Sequence, residues 1–264
     1  MTEVEHVEAL ANSLGRARAV LSQLKPSGPR HYFLAAMAGY LYGAIAVGDT
    51  VLGVVRSQFG RGAGPLKRFL HESYLDVLFL ASDPDPDLLA AKTVLSELKD
   101  SLRLLADYRE VRAAHPDAGL PPVPPAWEYF DRPVEEMLRV LDDQNVNYGG
   151  SPDLFRRAWS SWDTGRYWHW SGLRRNQMIN VLVTRGKLDG RGAFMAMSLT
   201  KIYNASAHPA PAWSELPFPE DTTSIDVPLT ASNADLGQLA LASSQFLDGI
   251  SKEVAVCFQT VNAA

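Results

Sequence analysis

Residues 32–55, YFLAAMAGYLYGAIAVGDTVLGVV, carry a single charge, Asp49. So long an apolar run restricts the chain to two outcomes. It is either a bilayer-spanning helix or a central helix of a helical bundle, buried on most sides. The second is expected here, because no other segment of this kind occurs and only Arg30 and Arg56 flank it. Ala35, Ala38, Gly39, Gly43, Ala46 and Gly53 would then let neighbouring helices approach closely.

The rest of the chain supplies such neighbours. Val4, Val7, Leu10, Leu14, Ala17, Val20, Leu21 and Leu24 recur at helical spacing, which predicts a first helix over 2–24, closed by Pro26. The apolar helix is expected over 29–58. Glycines 60, 62 and 64 make a loop, and Pro65 suits the first turn of a third helix ending at Ser82. The run DPDPD at 83–87 stops one helix and restarts another, predicted over 88–114; its carboxylates suit caps better than a metal. Residues 116–125, PDAGLPPVPP, read as an extended surface linker. Shorter helices are predicted over 127–143, 152–162, 172–185 and 191–208. Prolines 209, 211, 217, 219 and 228 then mark an irregular loop. Ser232 or Asn233 is placed to cap a last helix reaching about residue 261. No segment alternates with a period of two and no repeat is found. The fold class expected is all-α: a bundle of long antiparallel helices, with shorter helices inserted in the second half, as a single domain over 1–264. A boundary at the proline-rich linker is the alternative.

With 46% hydrophobic residues the chain has ample material for a core, and 25 Lys and Arg against 30 Asp and Glu give no field that would draw the whole molecule onto nucleic acid. Cys257 is the one cysteine, so an internal disulfide and a cysteine-based zinc site are excluded; its apolar neighbours make it a buried hydrophobe. That usage fits a reducing cytoplasm. The acidic N-terminus lacks the pattern of a signal peptide, and no export is expected. Membrane association is not expected. The six histidines never fall at close metal-ligand spacing, and phosphate-loop, nucleophile-elbow and dinucleotide motifs are missing, so neither metal nor cofactor is expected.

Three constellations could carry chemistry. Lys201, Asn204 and His208 share one face of a predicted helix, with Tyr203 beside them. Histidine could move a proton to or from a ribose hydroxyl while Lys201 and Asn204 stabilise charge on phosphate. The plainer reading places His208, just before Pro209, as a helix-end cap. In the second constellation Arg68 and Glu72 are spaced for a same-helix ion pair, with His71 on a neighbouring face. The three form a supporting polar cluster if that helix lies inside the bundle. The third is SSWDTGRYWHWSG at 160–172, which with Trp159 gathers four of six tryptophans. It is either a packing knot or, through Arg166, Trp168, His169, Trp170, Arg174 and Arg175, an aromatic and basic wall able to stack a base or hold a phosphate.

RFLHESYLDVLFLASDPD, the later HWSG, and Tyr203, Ser206 and His208 in YNASAHP together resemble a widespread bacterial all-helical family of unknown function, over roughly residues 30–215. That family is distantly similar to HEPN-type helical bundles, several of which are ribonucleases of toxin and antiviral systems. The resemblance implies a metal-independent ribonuclease or defence effector acting on RNA, with its groups in one cleft, within a chain or across a homodimer interface. His208 would take the histidine's role and Lys201 would stand where those enzymes have arginine, without arginine's two-pronged contact. The residues taken without the resemblance favour another class: a non-catalytic helical scaffold binding a protein partner or small ligand through the Trp-rich face.

Overall fold

The computed structural model describes residues 3–57, 64–119, 121–123, 127, 130–162, 170–207 and 233–263. Among them the chain is all-α, with nine helices and no strand. These are α1 (Glu3–Gln23), α2 (His31–Arg56), α3 (Gly64–Ser82), α4 (Pro86–Ala114), α5 (Val134–Asn147), α6 (Leu154–Ser160), α7 (Arg175–Thr184), α8 (Gly190–Ala207) and α9 (Asn233–Ala263).

Most boundaries follow from local chemistry. The Asp85 side chain accepts from the Leu88 amide at 3.1 Å and Pro86 occupies the first turn, so α4 begins two residues before the predicted start. Asp83 in turn accepts from the Asp85 amide, and Asp87, in the first turn of α4, accepts from Arg30 Nε at 3.1 Å. The helix expected from 127 begins only at Val134, because Pro133 precedes it in extended geometry.

The described residues form two compact units. One comprises those of 1–24, 37–82 and 175–264, and the other those of 25–36 and 83–174, so the proline-rich stretch lies within the second unit. In the first, α9 packs against α1 and α3, and α3 also meets α7 and α8. Leu10, Leu14, Leu70, Leu80, Leu247 and Val254 are buried in this unit. Cys257 is buried, as its neighbours suggest. The guanidinium of Arg16 holds Asp248 through Nε and Nη2, tying α1 to α9 by a polar clamp at the rim of the apolar contact.

α2 corrects one expectation. Among the described residues it is the one helix long and apolar enough to cross a membrane, but only a third of its most apolar window is buried. Gly48 faces inward, where an added Cβ would stand 2.9 Å from a Leu14 methyl and 2.8 Å from a Leu247 methyl. Gly39, Tyr42, Ala46, Asp49 and Gly53 line an exposed face, with Asp49 ion-paired to Arg18. The helix therefore buries one face, not most sides.

In the second unit α6 packs against α4 and α5 around Phe155, Leu138, Met137 and Leu95, all buried. Its short seven-residue α6 has its first turn fixed by a buried carboxylate: Asp142 accepts from the Phe155 amide at 2.7 Å and from Arg156 Nε at 2.8 Å. The turn before α6 is equally constrained. The Asn145 carboxamide donates to the Ser151 carbonyl at 2.7 Å, and a Cβ on Gly150 would lie 2.4 Å from its Oδ1. Asn145 is buried, so it cannot swing into solvent. Gly150→Ala is expected to cost about 1–3 kcal/mol by displacing that carboxamide from its bond. A urea midpoint equal to that of the parent protein would count against this.

Candidate functional site

The structure joins two constellations that the sequence keeps apart. On α3, Arg68, Glu72 and Asp76 recur every four residues and so share a face. Arg68 Nε donates to Glu72 Oε1 at 2.9 Å, the predicted pair. Arg175, at the start of α7, donates through Nη1 to Asp76 and holds Nη2 3.8 Å from Glu72. Its guanidinium is thus occupied by carboxylates of α3. Beside them His71 is buried, its ring centroid 5.5 Å from that of Phe246. Burial first, and the Arg175 charge second, lower His71 to about 4, with Asp76 opposing. At neutral pH this imidazole is uncharged, and the cluster as a whole ties α3 to α7.

The other expected site residues are spread along the chain. Trp170 is buried and Arg174 exposed. Lys201 is exposed on α8, and Tyr203 and Asn204 lie on the same helix with side chains outside the described residues. Arg166, Trp168, His169 and His208 also lie outside them. Among the described residues no group of three or more His, Cys, Asp or Glu side chains is placed to hold a metal.

A different arrangement, within the second unit, carries the features of a binding site. Lys99 on α4 places its ammonium 3.7 Å from the ring centroid of Trp162 and 4.5 Å from that of Trp159, at the C-terminal end of α6. These three residues and Leu102 line an open groove of about 330 Å³. Trp159 also lines a second groove, of about 390 Å³, with Glu135, Leu138, Asp153, Arg156, Arg157 and Ser160. Burial, and then the Lys92 ammonium one heptad earlier on α4, push Lys99 below the ordinary lysine range. The two indole faces act the other way, because their electron-rich surface favours the cation. In the adjoining groove the arginines are already engaged, Arg156 by Asp142 and Arg157 by Asp85 and Asp153.

Part of this was available in the sequence and part was not. Trp159 and Trp162 belong to the tryptophan-rich stretch, and Asp76 continues the four-residue row begun by Arg68 and Glu72. Lys99 has no local signal, because its aromatic partners stand about sixty residues away. Comparison of the chain with protein-family models, with curated proteins and with solved structures finds no match in any of the three. What the fold and these contacts define is therefore a class, an all-α protein with an ion-paired α3–α7 cluster and a tryptophan-walled groove on α4 and α6.

Proposed function

We propose that this protein is a helical scaffold that binds a ligand through the indole-lined groove of α4 and α6. The observation that carries the reading is the Lys99 ammonium lying over two indole faces in a groove open to solvent, with no ion pair to a carboxylate among the described residues. Lysines held for stability are usually matched by an acidic group or project into water. Aromatic walls around a cation, with space left beside them, suit recognition. The ribonuclease reading stands on the resemblance, and its histidine, His208, lies outside the described residues.

An uncharged aromatic dye tests the reading without prejudging the ligand's charge. N-phenyl-1-naphthylamine is expected to bind the folded protein and to be excited by energy transfer from tryptophan, with most of that signal lost in Trp159→Leu. Trp159 is half-buried, so this change spares the core better than one at buried Trp162. A native protein that leaves the dye dark, or a Trp159→Leu variant that binds it as well as the parent, would sink the proposal.

A further inference from the structure

We infer that the ligand of this groove is a small organic anion, a phosphate or carboxylate head on a flat apolar body, with the head received by Lys99. The inference rests on the groove being a binding site and adds the chemistry of what fills it.

Two polar groups of the groove residues have no protein acceptor among the described residues, and both are donors. The Lys99 ammonium has indole faces on two sides and no acceptor oxygen among the described residues. Indole faces stabilise its charge but offer no lone pair for its N–H bonds. Trp162 is 8% exposed, and its Nε1–H is buried with no hydrogen-bond partner among the described residues. A buried indole N–H normally finds an acceptor. Of the two, the ammonium borders the open groove whereas the indole N–H is buried, so it is the ammonium that calls for a ligand bringing acceptor oxygens.

Charge selects further among such ligands. Lys92 lies seven residues before Lys99, on the same face of α4, and its charge bears on Lys99. The charge that bears on Lys99 is therefore a second cation, although Asp83 and Asp85 act on Lys92 in turn. A quaternary ammonium, the usual guest of aromatic cages, would meet these cations and find its place over the rings already taken by Lys99. An anion meets the opposite situation. A charge-assisted bond to a partly desolvated ammonium is among the stronger single contacts available.

The walls specify the body. Leu102 and the indoles offer apolar surface, and Trp159 borders both grooves, so a planar group lying against it stays in contact with the apolar wall while its head reaches Lys99. A bare inorganic ion would use the ammonium and leave these walls wet.

Isothermal titration calorimetry on the full chain tests this with four probes: phenyl phosphate, inorganic phosphate, phenol and phenyltrimethylammonium. Phenyl phosphate is expected to bind once per chain and to weaken about tenfold or more in Lys99→Met, while Lys99→Arg, which keeps the charge, stays within a few-fold of the parent. Inorganic phosphate and phenol, each lacking one half of the ligand, are expected to bind about tenfold more weakly or worse, and phenyltrimethylammonium not measurably. Equal binding of phenyl phosphate by parent and Lys99→Met proteins of equal urea midpoint would overturn the inference. So would phenyltrimethylammonium binding as well as phenyl phosphate, or inorganic phosphate matching it. In those cases dye binding lost in Trp159→Leu would leave the groove a binding site with different chemistry. Silence of all four probes together with a dark dye would remove both readings.

Discussion

Asp76→Ala is expected to lower the stability of the protein by about 3–5 kcal/mol, the cost of leaving one member of a buried ion pair without its partner. The Asp76 and Arg175 side chains are 10% and 16% exposed, so water can replace the lost carboxylate at the guanidinium only in part. Glu72, 3.8 Å from Arg175 Nη2, remains and should hold the loss near the lower end. The comparison that isolates charge from shape is Asp76→Asn, which keeps the side-chain volume and one acceptor. It should fall between the parent and Asp76→Ala. The double change Asp76→Leu with Arg175→Met should recover most of the loss, because an apolar pair of similar size removes both charges at once. Urea unfolding at neutral pH supplies all four values. A loss below about 1 kcal/mol for Asp76→Ala would mean the pair behaves as a surface salt bridge and that α7 is not held on α3 by it.

That pair also shows where sequence reasoning stops. The helices were legible because their causes are local: apolar residues at three and four residue spacing, Pro65 in a first turn, and aspartates before a restart. The Arg68–Glu72 pair was legible for the same reason, since both ends sit on one helix. Arg175 and Asp76 are 99 residues apart, and nothing local distinguishes Arg175 from its exposed neighbour Arg174. Only the direction in which α7 leaves its preceding turn turns one inward and the other out. Lys99 poses the same difficulty. Its neighbours Glu97 and Asp100 are exposed and make it look like one more residue of a solvated helix face, whereas α6 packing against α4 brings Trp159 and Trp162 over it. Trp159 and Trp162, at one end of the tryptophan-rich stretch, wall a groove with Lys99 of α4.

His71 gives the protein a sensitivity to acid whose sign can be worked out. Its folded value is lowered to about 4 from an unfolded 6.5, so well above pH 6.5 the imidazole is neutral in both states and contributes no pH dependence. As pH falls below 6.5 the unfolded chain takes up the proton and the folded chain does not, which favours unfolding. The effect grows until the folded imidazole also protonates near 4, where it amounts to about 3 kcal/mol. The groups facing it set its size: Arg175 repels the imidazolium, Asp76 offsets part of that, and the Phe246 ring from α9 offers it no hydrogen bond. Carboxylates titrate in the same range, so the quantity to measure is a difference. Urea midpoints of the parent and of His71→Gln, taken from pH 7.5 to pH 4, should diverge from their neutral-pH offset, the parent losing more stability with acid. Parallel curves would place His71 at an ordinary histidine value and the ring in contact with water. The burial that creates this penalty also limits what the residue can do, because an imidazole with a value near 4 is not an imidazolium acid at pH 7 and is a weak base. The α3–α7 cluster, with a neutral buried imidazole between ion-paired side chains, is thus placed to act on stability rather than on proton transfer at neutral pH.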